Sequence, residues 1–315
     1  METPLTNPGP AKIWWFAAFG VAAGTIAATF LLPGGDDLYR YYQPFAQNCL
    51  NCGFTPYFAQ WFLWLLALVP YPWTWPLWTI LSIGAFLLLA RHSGVNPLWL
   101  FISFPMLGQI WLGQIDWLVC TGLLLILLAR SPYLRGLGIF LALIKPQLTC
   151  ITILAMLLFE NRHNLLQVLL IPFLLLAISM IMYGPFWPLE WLQNARTSLP
   201  LHVWRLASAS VWKYGLLLVP SPLLFKERRK RLLASLLVST IATPFFGVYS
   251  YVTFLLFSAS GWAAALSFAW VLAYPIFQKQ AMQFASILPL FLLFTLTLNE
   301  LRHLRFSHPW KELHA

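Results

Sequence analysis

Acidic residues are nearly missing from this chain: there are nine among 315 residues, and only three of them are aspartate. Charged side chains of both signs make up 9% against 60% hydrophobic, and residues 14–32 carry no ionisable side chain at all. Soluble domains carry about 25% charged residues, so the deficit argues against a soluble protein and for an integral membrane protein. No hydrophilic stretch is long enough for a separate soluble domain, and no fixed-period repeat appears, so residues 1–315 are expected to form a single transmembrane domain. The first apolar run approaches bilayer length and lacks both a basic n-region and a small-x-small cleavage site before Pro33. It is expected to stay as a transmembrane helix.

Cysteine is also scarce. Cys120 and Cys150 fall in apolar runs, where a thiol usually acts as a small hydrophobe. Cys49 and Cys52 form C-L-N-C in a polar loop. One C-x-x-C with no second pair and no nearby histidine is a poor zinc signal. A local disulfide is the alternative, provided the loop faces an oxidising compartment. No D-x-D motif is present, and the sequence indicates neither a divalent metal nor a cofactor.

What the chain does have is apolar runs, at about residues 12–32, 58–70, 73–90, 97–112, 115–130, 136–159, 165–183, 213–225, 232–246, 248–275 and 281–300. Several fall short of the roughly 20 residues that cross a bilayer core. The expected fold is therefore all-α: a polytopic transmembrane bundle of about 9–12 helices, some short, tilted or broken. The net charge of +10 is carried by short clusters between these runs: Arg130/Arg135, Arg162/His163, the KERRKR stretch at 226–231, and Arg302/His303/Arg305. Such spacing does not make a nucleic-acid stripe. It reads as cytoplasmic loops under the positive-inside rule.

If those clusters share one side, GGDDLYRYY, GQIWLGQID, KPQ and TPFFGVYSY all approach the other. Residues 33–57 are then the first extracytoplasmic loop. Residues 184–212, with Trp187, Trp191, Trp204 and Trp212, form a second one containing an amphipathic helix at the lipid surface. Between Tyr57 and Arg91 two readings stand: 58–90 is a hairpin, or 58–70 is an interfacial helix rich in Trp.

Two ionisable residues lie within the apolar belt, Asp116 and Lys145, each costing about 3 kcal/mol on insertion scales. Pro146 breaks the helix beside Lys145 and frees backbone groups. A lysine at such a break suits an anion site, and a purely structural pairing with Asp116 is the alternative. Asp36 and Asp37 are adjacent, so their carboxylates diverge on a helix or a strand. One is expected to face a site and the other to cap a helix beginning at Leu38. Capping by both is the competing reading.

The ordered set D-D-L-Y-R-Y-Y, G-Q-I-D and I-K-P-Q, across roughly residues 12–190, resembles the polyprenyl-phosphate-sugar-dependent glycosyltransferases of the GT-C superfamily, closest to the family 87 membrane mannosyltransferases. The resemblance implies a GT-C-like helical fold. It implies transfer of a mannose-like sugar from a polyprenyl-phosphate donor to a lipid or glycan acceptor, at the extracytoplasmic face of a bacterial-type plasma membrane. It puts the catalytic acid on Asp36 or Asp37, the tyrosine pair on Tyr41 and Tyr42, Gly-Gln on Gly113 and Gln114, and Lys-Pro on Lys145 and Pro146. The chain departs from the family pattern in having only Thr55-Pro56-Tyr57 and Tyr71-Pro72 for a Pro-Tyr-Pro-Pro element, and Tyr249-Ser250-Tyr251 without the histidine of a later one.

The residues themselves fit the implied chemistry. A carboxylate serves as general base for the acceptor hydroxyl, and a phosphate leaves already ionised, so no second carboxylic acid is needed. Cations stabilise the departing phosphate: Lys145 first, with Arg40, Arg196 and Arg205 as helpers and Gln114, Asp116 and Gln147 nearby. Tyr41, Tyr42 and Trp187 are candidates to stack on the sugar. A non-catalytic scaffold derived from this fold and a lipid or anion transporter built on broken helices are the other two functional classes.

Overall fold

The computed structural model describes residues 10–198 and 208–306 and is helical, with no strand among the described residues. Four helices are long and apolar enough to cross a membrane, as expected of an integral membrane protein. They are α1 (Lys12–Leu31), α2 (Thr74–Ser93), α7 (Arg162–Tyr183) and the stretch Gln280–Arg302, most of which lies in α12 (Ile287–Phe306). Between them lie shorter helices: α3 (Phe104–Leu112), α4 (Asp116–Leu128), α5 (Pro132–Ala142), α6 (Pro146–Leu157), α8 (Trp187–Ser198), α9 (Arg228–Ala242), α10 (Val252–Ser258) and α11 (Ala269–Phe277). α1 and α7 bury little of themselves and present apolar residues such as Phe16, Leu31, Leu166 and Ile181 outward. Hydrocarbon, not water, is the natural solvent for such faces.

The sequence breaks where its chemistry says it should. The run at 136–159 is two helices, not one: α5 stops at Ala142, and Pro146 starts α6 at a position where its missing N–H is not needed. The Ala142 carbonyl left over at the break accepts from the Thr149 hydroxyl at 2.8 Å. The run at 97–112 breaks at Ser103 ahead of Pro105. Residues 58–70 form only short helical turns, with Leu63 and Leu66 buried and Trp64, Leu65 and Leu68 exposed. Neither one continuous interfacial helix nor the first arm of a helical hairpin forms there.

α4 and α5 pack backbone to backbone. A Cβ on Gly122 would lie 2.5 Å from the Gly138 carbonyl oxygen, the close approach that small residues allow between apolar helices.

Charges gather at one end of the bundle. Arg135 and Arg228 both meet Glu160, at 3.0 and 3.5 Å, and Lys230 meets Glu300 at 2.9 Å. Arg228 and Arg229 donate to the carbonyls of Ile126 and Ser93, in the last turns of α4 and α2, at 2.8 Å each. Arg231 closes on the carbonyls of Phe225 and Lys226. Within these basic clusters Arg135 and Arg231 are buried. They satisfy backbone groups and an acid that would otherwise lack partners.

Candidate functional site

At the opposite end the chain leaves α1 through Gly34-Gly35 and turns into a π-helical segment, Leu38–Tyr42. Gly35 has φ +75, and a Cβ there would press on Trp75. Its N–H donates to the Trp111 carbonyl at 2.7 Å. This left-handed step, open to glycine, sets the direction in which the two following aspartates leave the chain. The wide turn places Asp37, Tyr41 and Tyr42 on the wall of one cavity of about 470 Å³.

The remaining walls come from distant segments. Gln114 stands in the link between α3 and α4, directly after Gly113, whose φ is +70 and whose Cβ would lie 2.7 Å from that of Leu38. Lys145, Pro146 and Gln147 come from the break between α5 and α6. Phe54 and Thr55 follow the cysteine loop, Trp191, Leu192 and Ala195 come from α8, and Tyr249 and Ser250 from the turn before α10.

The polar groups form a connected chain. Asp37 accepts from the Gln114 amide nitrogen. The Gln114 amide oxygen accepts from Lys145 Nζ at 2.7 Å and from the Tyr42 hydroxyl at 2.8 Å. Lys145 pairs with Asp116, which is fully buried in the first turn of α4. The Tyr249 ring faces the same ammonium, with its centroid 5.2 Å away. Lys145 Nζ thus has an amide oxygen, a carboxylate and a ring face around it, and it also stands on the cavity wall.

Burial pushes the Asp37 carboxyl up to about 6. Asp36 adds to this, while Lys145, the Gln114 amide and Arg40 oppose it.

The other expected residues divide. Asp36 points away and pairs with Arg40 at 2.8 Å, both exposed. No side-chain cap bond forms at Asp37, so the expected division into one site residue and one cap is corrected to one site residue and one surface ion pair. Arg40 therefore stands apart from the cavity. Tyr41, Tyr42, Gln114, Lys145 and Gln147 line it, and Asp116 sits behind Lys145. Arg196 is exposed on α8, one residue past the lining Ala195. Arg205, with Trp204, lies outside the described residues.

Trp187 was expected to be available for stacking. It is buried instead, parallel to Tyr57 at 5.5 Å, and it donates to Ser179. Trp191, one turn later, lines the cavity and donates to the Phe54 carbonyl at 2.9 Å. Cys49 and Cys52 are joined in a disulfide. Asn51 between them accepts from Asn194 of α8 at 2.6 Å, so this small loop and α8 clasp each other over the cavity.

A second cavity of about 670 Å³ shares Leu112, Phe245, Gly247 and Tyr249 with the first, and Thr25, Trp75, Trp111 and Trp270 contribute to its other walls. The first cavity carries acid, amide, amine and hydroxyl groups. Its neighbour is walled almost entirely by apolar surface.

The chain matches no family model, no curated protein and no solved structure. What can be said of its function rests on this geometry and on the sequence motifs. Sequence reasoning missed Phe54, Trp191, Tyr249 and Ser250 as cavity residues. The T-P-F-F-G-V-Y-S-Y run was the signal for the last two, while nothing local marks Phe54.

Proposed function

We propose that this chain is an integral-membrane glycosyltransferase of GT-C type. In this reading it moves a mannose-like sugar from a polyprenyl-phosphate carrier to a hydroxyl of a lipid or glycan acceptor. The observation that carries the reading is Asp37, the one carboxylate on the wall of the polar cavity among the described residues, with its pKa raised to about 6 and an apolar cavity next door. A base poised near the working pH balances proton affinity against readiness to be ionised. A head-and-tail pair of cavities suits an amphiphile.

The acceptor oxygen attacks the anomeric carbon as its proton passes to Asp37. The bond from that carbon to the phosphate oxygen breaks, and the phosphate leaves with the electron pair. Attack opposite the leaving group inverts the anomeric centre. Tyr41, Phe54 and Trp191 offer flat faces for the sugar's C–H surface, and Gln147 and Ser250 offer hydrogen bonds. The basic end of the bundle supports an extracytoplasmic site under the positive-inside rule.

One observation favours a second reading, a non-catalytic scaffold: among the described residues, the cation on the cavity wall, Lys145, is already paired with Asp116. The test separates the two. Asp37→Asn replaces the wild-type gene at equal protein level in membranes, and lipids and glycans are profiled by mass spectrometry. Loss of a glycosylated species, with transfer down about 10²–10⁴-fold, supports the transferase. Unchanged profiles alongside a changed profile in the deletion strain leave the scaffold.

A further inference from the structure

Gln114 is the side chain that links Asp37 to the Lys145–Asp116 pair. Its amide oxygen receives two donors, Lys145 Nζ at 2.7 Å and the Tyr42 hydroxyl at 2.8 Å. A carboxamide with both donors on its oxygen has one orientation left, so the nitrogen must face Asp37, and it donates to Asp37 Oδ2. The backbone beneath is held equally firmly. The Gln114 carbonyl accepts from Trp78 Nε1 at 3.1 Å, its N–H donates to the Gln109 carbonyl at 2.9 Å, and Gly113 before it is left-handed.

We infer that Gln114 is a positioning residue: it fixes the Asp37 carboxylate by holding Oδ2, leaves Oδ1 to the cavity, and carries the influence of Lys145 and Tyr42 to that carboxylate. Electron density drawn toward the amide oxygen by a buried ammonium makes the amide N–H a better donor, the mutual polarisation expected along a hydrogen-bond chain. Tyr42 is the revealing member. Its hydroxyl donates to the Gln114 amide oxygen, so its hydrogen-bond effect on Asp37, at a pH where the phenol is neutral, passes through the amide. The charged and titratable groups facing Asp37 are Asp36 and Arg40 on its own segment, Lys145 with Asp116 behind it, and Tyr42 and Tyr249.

The inference deepens the reading of Asp37 as a base, but its test needs no turnover. The protonation of Asp37 is followed against pH by its carboxyl infrared band in nanodisc-embedded protein, the band being identified by its loss in Asp37→Asn. The wild-type midpoint is expected at about 6. Gln114→Met removes the donor and is expected to move the midpoint up by about one pH unit. Tyr42→Phe is expected to move it up by a few tenths of a unit, and to do nothing further in the Gln114→Met background.

If Gln114→Met does not fold, Gln114→Asn decides. It keeps the amide but is one methylene too short to reach Asp37 and Lys145 together, so an upward move is expected there also. A midpoint unmoved or lowered in the folded Gln114 variant overturns the inference. So does a Tyr42→Phe shift that persists without the Gln114 amide. Should Asp37→Asn leave cellular glycans untouched while these midpoints move as expected, the transferase reading falls and the positioning role stands.

Discussion

Removing one member of the Lys145–Asp116 pair should be among the most damaging single changes available to this chain. Asp116 is fully buried and Lys145 is 5% exposed. Lys145→Met keeps most of the stem and deletes the charge, leaving a buried carboxylate without the counter-ion it has among the described residues. Breaking a buried pair in this way costs about 3–5 kcal/mol, a large share of the 5–15 kcal/mol that holds a typical domain. Asp116→Leu alone strands the ammonium and should cost a similar amount. The double variant Lys145→Met/Asp116→Leu removes both charges at nearly constant volume and should recover most of the loss, since an apolar replacement of a buried pair is often neutral or better. Tryptophan fluorescence during unfolding in mixed detergent–denaturant micelles measures all four proteins. Single variants within about 1 kcal/mol of wild type, or a double variant as weak as the sum of the singles, would refute the pairing. The comparison also tells structure from function, because a transferase that needs the lysine stays inactive in the stable double variant.

Three further outcomes are expected. Asp37 has a folded pKa of about 6 against an ordinary 3.8, so the fold favours its neutral form: this contribution to stability is complete below 3.8 and is lost as pH rises through 6. Asp37→Asn should therefore be the more stable protein at pH 8, by at most about 3 kcal/mol, with the advantage vanishing by pH 4 in unfolding curves; the opposite trend would mean that Asp37 is not buried as described. Replacing Cys49 and Cys52 together with serine should loosen the clasp on α8, raising amide hydrogen exchange across residues 187–198 while leaving α4 and α5 unchanged. Gly122→Ala forces a Cβ to 2.5 Å from the Gly138 carbonyl oxygen and should cost about 1–3 kcal/mol, whereas Gly84→Ala, where the new methyl meets nothing, should be tolerated in the same assay.

The long apolar runs were legible because a bilayer asks for length and hydrophobicity, which a linear sequence displays. α1, α2 and α7 sit close to where those runs predicted them. The break at Lys145-Pro146 was legible for an equally local reason, a proline that cannot continue a helix. Which of Asp36 and Asp37 faces inward was not. That choice is made by a left-handed Gly35 seated against Trp75, forty residues away, and by a π-helical turn that no periodicity announces. The meeting of Gln114 with Asp37 and Lys145 spans separations of 77 and 31 residues, and only packing creates it. Trp187 and Trp191 looked alike as boundary tryptophans, yet one is core and one is wall. Their difference lies in the neighbours: Tyr57 and Phe58 close over the first, and the Phe54 carbonyl takes the second.

The balance of charge in the site constrains the proposed reaction. Lys145 and Asp116 cancel, which leaves the cavity with Asp37, and burial holds that carboxyl partly protonated near pH 6. A bare anion placed deep against Asp37 would meet a like charge and, among the described residues of the wall, a lysine already paired with Asp116. A neutral polyhydroxylic head would meet an acceptor at Asp37, amides at Gln114 and Gln147, and a hydroxyl at Ser250. If a lipid phosphate enters, it must therefore stop short of Asp37, with the sugar innermost. The exposed Arg196 follows Ala195 along α8, the helix that covers the cavity, and it is the described arginine on the site's own covering element. Sugar inward and phosphate outward is also the order that brings the anomeric carbon, which lies between them, to the level of Asp37. The same separation explains why the lysine of this site can be structural without making the site inert: the reacting oxygen needs the base, and the leaving phosphate needs its cation elsewhere.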